Sequence, residues 1–203
     1  MATSYQPFGL NPIGRLDSGS LEPMRQLPIK SAEATSIVKG DVVKLVSSSN
    51  KTTVAKMTDT GDTTTEVPIV GIFMGCRFTD PNTNQLTFSQ TFVGGTVASD
   101  AMAYVVADPN VIFEIAADGA VANENEEVFG SNFALVQGTA NTTLGISRVG
   151  LDIDSLSTDP QLPIKVIDYR GGFLGDEVGT GFPVLIAKFN YHQFLSKTGL
   201  AAV

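Results

Sequence analysis

The stretch that decides the fold is Val67-Pro68-Ile69-Val70-Gly71-Ile72-Phe73-Met74-Gly75-Cys76-Arg77-Phe78, the most apolar segment in the first half of the chain. A short apolar run that is bounded by turn residues predicts a buried strand. Its two glycines, Gly71 and Gly75, predict a β-bulge or the close approach of another backbone. The next residues, Asp80-Pro81-Asn82-Thr83-Asn84, predict a turn, because Pro81 presets φ and the Asp and Asn side chains bond to the backbone.

Segments with the same character continue on both sides of this strand. They are 37–46 with a turn at Gly40, 52–57, 86–92, 101–106, 111–115, 162–169 and 182–190. Strands that recur at short intervals between Gly, Pro, Asn and Asp predict a β-sandwich or a barrel and not a βαβ sheet. Residues 118–132 are the best candidate for a short helix or an irregular excursion, and the glycines of 170–182 indicate a long loop. The sequence therefore predicts a single all-β domain over 37–193 with little helix, followed by a short tail, 194–203.

Composition and charge exclude several classes of protein. The chain has 203 residues and a formal net charge of −8, with a sequence pI of about 4.5. A nucleic-acid-binding protein needs clustered Lys and Arg, so we expect no nucleic-acid partner. No run approaches the roughly 18 apolar residues of a membrane span, so we expect no membrane partner. Residues 1–30 contain four prolines and no apolar run like that of a signal peptide, so we expect synthesis without an export signal.

Residues 1–36 differ from the rest of the chain. Their apolar side chains occur singly, without a period of 2 or 3.6, and their prolines oppose helix interiors and central strands. This pattern predicts an extended arm that inserts isolated apolar side chains into a surface, either that of its own domain or that of a partner. We expect the contact to be with a neighbouring subunit or a partner. The candidate contact residues are Tyr5, Phe8, Leu16, Leu21, Met24 and Leu27.

The residues that catalysis and metal binding use are scarce. The single cysteine, Cys76, lies in an apolar strand, and the single histidine, His192, lies near the end of the last strand. One cysteine and one histidine rule out an internal disulfide, a multi-cysteine zinc site and a two-histidine protease motif. Three acidic groups could bind Ca²⁺ but lack the spacing of an EF-hand loop. They are Asp152 with Asp154, Glu124 with Glu126 and Glu127, and Asp59 with Asp62 and Glu66. We therefore expect no enzyme activity, no metal and no cofactor.

Four stretches, taken in their order along the chain, resemble the head decoration, or capsid cement, proteins of tailed bacteriophages. They are GDVVKL (40–45) after the proline-rich arm, VGIFMGC (70–76), YVVADPNVIFEI (104–115) and VLIAKFNYHQ (184–193). Residues 118–160 match less clearly.

The resemblance implies a structural protein on the outer face of a phage capsid, made in the host cytoplasm. It implies that the partners are the lattice of the major capsid protein and further copies of the same chain, with a homotrimer favoured. Acidic charge agrees with this location, because it keeps an exposed protein soluble and away from packaged nucleic acid. Linked contacts from a symmetric oligomer would raise the avidity for the lattice.

Other classes stay open from the sequence. One is another virion component, such as a tail or fibre subunit, or a carbohydrate-binding β-sandwich. A lectin-like site would need an exposed aromatic platform, and the chain has no Trp. A small β enzyme, such as a trimeric nucleotide hydrolase, would need a convergent acidic site around Mg²⁺, and no motif supplies one. A major coat protein is also conceivable, but the long amphipathic helix expected of one is missing from the pattern.

Overall fold

The strands form two main antiparallel sheets and two smaller strand pairs. The computed structural model describes residues 4–20, 24–48, 51–61, 69–121, 128–170 and 181–196. In chain order, the strands of these residues are β1 (Asn11–Arg15), β2 (Arg25–Pro28), β3 (Ile37–Val38), β4 (Val42–Ser48), β5 (Lys51–Lys56), β6 (Ile69–Thr79), β7 (Leu86–Ser89), β8 (Thr91–Phe92), β9 (Met102–Val106), β10 (Val111–Ala116), β11 (Asn132–Phe133), β12 (Leu135–Gln137), β13 (Val149–Leu151), β14 (Ile164–Tyr169) and β15 (Val184–Phe189). The helical element of the described residues is one short 3₁₀ turn, Ile153–Ser155.

The strand order defines the architecture. Sheet 1 has the order β1-β10-β15-β14-β11, and sheet 2 has the order β2-β9-β6-β4-β5, with β7 also paired to β6. The smaller pairs are β12-β13 and β3-β8. Within the described residues no sheet closes into a barrel, and the sheets pack together as in a β-sandwich. The prediction of an all-β fold with little helix is confirmed.

The central strands β6 and β9 of sheet 2 are covered on both faces. Ile72 and Val106 belong to a first core that sheet 1 covers, whereas their chain neighbours Phe73 and Val105 belong to a second core on the opposite face. The β3-β8 pair contributes to the second core, where Phe92 is fully buried. A strand that is covered on both faces needs apolar residues at every position, and this explains why residues 69–76 show no alternation. Burial of one side chain as large as Phe73 contributes roughly 1.5–3 kcal/mol.

The glycines of β6 act as the sequence predicts. The pairing of β6 with β9 shifts register between Phe73 and Gly75, which is a β-bulge or similar irregularity. Gly71 has φ of 153°, and a Cβ atom at this position would collide with the carbonyl oxygen of Val106. A side chain at position 71 would therefore push β9 away from β6.

The N-terminal segment differs from the expected arm. Residues 11–15 form β1, which pairs with β10 at the edge of sheet 1, and residues 25–28 form β2, which pairs with β9 at the edge of sheet 2. An edge strand tolerates proline because one side of its backbone needs no partner, so Pro12 and Pro28 fit there. The described part of the segment therefore completes its own domain, and it is not separated from residues 37–193.

The chain before β1 is also fixed to the domain. Leu10 is 1% exposed within the first core, and its backbone N–H donates to the carbonyl oxygen of Gly40 at 2.9 Å. Gly9 has φ of +79°, and a Cβ atom there would lie 2.6 Å from the Cβ of Ser147. Only glycine permits this close approach between the N-terminal segment, the Gly40 turn and the loop that carries Ser147.

Candidate interaction surface

The structure divides the six candidate contact residues of the N-terminal segment between different surroundings. Leu27 is half-buried and packs against the second core. Phe8 is partly buried, whereas Leu16 and Met24 are 54% and 49% exposed. Leu21 lies outside the described residues. The residues of this set that the structure describes therefore do not form one contact surface.

Tyr5 is the sixth of these residues, and it packs against its own domain. Its ring lies 5.8 Å from the ring of Phe182, centroid to centroid, and its hydroxyl lies beside Gly150. Burial raises the pKa of Tyr5 to about 12, and the nearby carboxylates Asp118 and Asp152 add to the increase. A phenol with this pKa stays protonated, and its contacts hold residue 5 on the domain.

Cys76 is a packing residue of the second core. Its side chain is 1% exposed, and burial raises the pKa of the thiol to about 12. The thiolate is the reactive form of cysteine, so this environment makes Cys76 inert near neutral pH.

His192 joins the end of the chain to sheet 2. It is 2% exposed, and its Nε2 lies 2.7 Å from the carbonyl oxygen of Val70. Its Nδ1 accepts the backbone N–H of Phe194 at 3.2 Å. Because Nδ1 accepts, the proton of the neutral ring is on Nε2, which donates to Val70. Burial lowers the pKa of His192, although the bond to Val70 and the charge of Asp108 oppose this effect.

The acidic groups considered for Ca²⁺ have local backbone roles where the structure describes them. The Asp152 carboxylate accepts the N–H of Asp154 and caps the 3₁₀ turn. The Asp59 carboxylate accepts the N–H of Gly61. The remaining members, Asp62, Glu66, Glu124, Glu126 and Glu127, lie outside the described residues. In the part of the chain that the structure describes, no three His, Cys, Asp or Glu side chains gather to hold a metal ion.

A buried polar network holds the turn at Gly40. The Asp41 carboxylate is fully buried and accepts from Lys56 Nζ at 3.1 Å, from Ser147 Oγ at 2.7 Å and from the Val38 N–H at 2.9 Å. Ser147 Oγ also accepts the N–H of Val149 at 3.2 Å. Three donors satisfy the buried charge, so the network joins β5, the Gly40 turn and the start of β13 without an unpaired carboxylate.

The strand β7 exposes large apolar side chains. Phe88 is 67% exposed and Leu86 is 54% exposed, and both project on the same side of a strand that pairs only with β6 in the described structure. A shallow depression of about 300 Å³ lies beside Phe88. Its lining consists of Met74, Gly75, Cys76, Phe88, Ser89, Gln90 and Tyr104. This region is an apolar surface with an aromatic side chain at its rim.

The loop before β13 lies beside this region. Leu144 and Ile146 are 65% and 38% exposed. Between them, Gly145 lies against Gln90, where a Cβ atom on the glycine would be 3.6 Å from the Cβ of Gln90. We call the four exposed side chains Leu86, Phe88, Leu144 and Ile146 the apolar end. Exposed apolar groups that lie near one another mark interaction sites more often than scattered single ones do.

Sequence reasoning did not select the apolar end. The alternation of residues 86–92 predicts a half-buried strand, in which Leu86 and Phe88 share one face. The structure leaves Leu86 and Phe88 54% and 67% exposed. Alternation shows which residues share a face of a strand, but the tertiary structure decides which face is covered.

The known proteins offer no relative from which a site could be transferred. Comparison with known protein families, with curated proteins and with solved structures finds no match for the chain. A separate finding concerns membranes: no helix of the described residues combines the length and the apolar character that crossing a bilayer requires.

Proposed function

We propose that this chain is a structural virion protein that binds the outer surface of a tailed-phage capsid and stabilises the coat-protein lattice. The apolar end is the observation that carries the proposal, because Phe88 at 67% exposed and Leu144 at 65% exposed have no role in the cores of the domain. The order of sequence motifs that resembles the decoration proteins supports it independently. The function rests on association and needs no catalytic step.

The mechanism is multivalent binding. A homo-oligomer with closed symmetry, of which we favour a trimer, presents the apolar end once per subunit. Linked contacts of this kind can exceed the affinity of one contact by roughly 10²–10⁴. Because the oligomer binds the assembled lattice and not its dissociated subunits, its binding stabilises the shell by mass action.

The first test measures binding to shells. Shells of the coat protein from the virus that carries this chain are assembled without it and then titrated with the purified protein. We expect saturable co-sedimentation and a higher temperature of shell disruption. Phe88→Ser should weaken the binding, whereas Leu156→Ser, a change at a 41% exposed apolar residue near the 3₁₀ turn, should not. Shells that never bind the wild-type protein would contradict the proposal.

The second test measures the oligomer. Sedimentation velocity at micromolar concentration should give the mass of three chains of 21.4 kDa. A monomer in solution that also stays monomeric on the shell would contradict the trimer.

One observation favours a second candidate, a carbohydrate-binding β-sandwich. Phe88 stands at the rim of a depression that Tyr104, Ser89 and Gln90 also line. An aromatic face beside hydrogen-bonding side chains suits a sugar ring. A glycan array separates the candidates: specific glycan binding that Phe88→Ser removes, together with no binding to shells, would favour this function.

A further inference from the structure

Lys56 is a charged residue with unused hydrogen-bonding capacity. It ends β5, and its side chain is only 7% exposed. An ammonium group has three N–H donors, and in the described structure its partner is the carboxylate of Asp41, at 3.1 Å. Among the residues that the structure describes, two donors of this largely buried cation therefore remain for other acceptors.

The carboxylate of Asp41 is itself fully engaged. It is completely buried, and it also accepts from Ser147 Oγ and the Val38 N–H. Asp41 is not part of the cavity that lies beside Lys56. Lys56 is therefore the charged member of the pair that lies at the wall of the cavity.

The cavity beside Lys56 has a volume of about 550 Å³. It lies between the end of β5, the segment before β3 and the loop after β12. Five hydroxyl side chains line it with Lys56: Thr35, Ser36, Thr58, Thr139 and Thr142. Neither Asp nor Glu is among its lining residues, so each of these six side chains can donate to a ligand and none is an anion that would repel one. The volume falls in the range of small-molecule sites.

We propose that this cavity binds a small molecule that carries a phosphate, sulfate or carboxylate group, with the oxyanion on Lys56. Oxygen anions form strong, charge-assisted hydrogen bonds with ammonium donors. The cavity is much larger than an inorganic anion, and its hydroxyl groups can bind a polar remainder of the ligand. The cavity has no lining residue in common with the apolar end, and the proposal does not depend on the proposed capsid function.

Three probes test the proposal by NMR: inorganic phosphate, glucose 6-phosphate and glucose. At about 10 mM, a site with a Kd near 1 mM is roughly nine-tenths filled. We expect saturable shifts of the amide signals of Thr35, Thr58 and Thr139 with phosphate, and stronger binding of glucose 6-phosphate. Glucose should not bind. Glucose binding equal to that of its phosphate would overturn the proposal, since the oxyanion would then contribute nothing.

Substitutions in the cavity test whether glucose 6-phosphate binds there. The double variant Thr58→Val/Thr139→Val should weaken glucose 6-phosphate binding by about 10-fold, which corresponds to about 1.4 kcal/mol. Thr158→Val, at an exposed threonine outside the cavity, is the matched control and should bind as the wild type does.

The role of the cation needs a variant that keeps the fold. Lys56→Met alone would leave Asp41 as an unpaired buried charge, so it is combined with Asp41→Asn. The double variant Lys56→Met/Asp41→Asn should show no detectable phosphate binding. If this double variant does not fold, the affinity of Thr58→Val/Thr139→Val for glucose 6-phosphate tests the proposal. Unchanged affinity in the variants that fold, or no saturable shift in the wild type, would overturn the proposal.

Discussion

At the Gly40 turn the chain buries a carboxylate and an ammonium group, whereas at β7 it exposes two large apolar side chains. Asp41 is fully buried and Phe88 is 67% exposed, which is the reverse of their usual positions. The buried pair has hydrogen-bond partners from three parts of the chain, so its position has a structural reason. The described residues give no such structural reason for the exposure of Leu86 and Phe88. The difference separates a region that serves stability from a region that is available for binding.

The largest expected effect is at the buried network. Asp41→Ala leaves Lys56 without its partner, so we expect the free energy of unfolding to fall by about 3–5 kcal/mol in urea titrations. The control is Asp17→Ala, which removes the exposed ion pair between Asp17 and Arg15, 2.8 Å apart, and should change stability little. Equal effects of the two substitutions would remove the distinction between the regions.

The next effect concerns the N-terminal segment. Leu10→Ala should lower the free energy of unfolding by about 2–5 kcal/mol, because it opens a cavity in the first core. Leu16 is 54% exposed, and Leu16→Ala should stay within about 0.5 kcal/mol of the wild type. If Leu10→Ala were also neutral, the segment would behave as the loose arm that the sequence predicts.

The third prediction uses His192 as a buried polar group that titrates. Burial lowers its pKa in the folded state, so the unfolded state binds a proton more readily. Its contribution to stability is full above the ordinary pKa of about 6.5 and is lost as the pH falls toward the folded value. One proton gives a slope of at most about 1.4 kcal/mol per pH unit.

The measurement compares urea unfolding of the wild type and His192→Gln between pH 7 and pH 5. The amide of Gln can donate to Val70 but does not titrate, so the variant should lose less stability on acidification. Parallel pH profiles would contradict the assignment of a neutral, buried His192.

The smallest effect on stability is expected at the apolar end. Phe88→Ser should change the free energy of unfolding by no more than about 0.5 kcal/mol, because its side chain is 67% exposed. The same change should reduce shell binding, measured by co-sedimentation. A large loss of stability without a loss of binding would assign Phe88 to the fold.

Much of the fold follows from local sequence signals. The apolar run at 67–78 predicts a strand, and the structure places β6 in the centre of sheet 2. The positions of β1 and β2 could not be predicted in this way. Prolines argue against central strands but permit edge strands, and an edge strand has only one neighbour to constrain its sequence.

The sites were less predictable, for a physical reason. Asp41 and Ser147 are 106 residues apart, and no local pattern indicates that a hydroxyl will meet a buried carboxylate. The exposure of Phe88 likewise depends on which distant segments cover β7. Contacts between distant segments and the extent of a covering sheet are properties of the assembled fold.

The pairing of β1 with β10 and of β10 with β15 has a consequence for biosynthesis. The first core takes side chains from both ends of the described chain, including Leu10 and Phe189. While a ribosome is still making β15, sheet 1 has no central partner for β10 and the core stays incomplete. Folding is therefore completed late in synthesis, and such non-local β topologies typically need milliseconds to seconds to form. Until then, the edges of β10 and β14 are open to other nascent chains, so slow translation or crowded polysomes would favour misassembly.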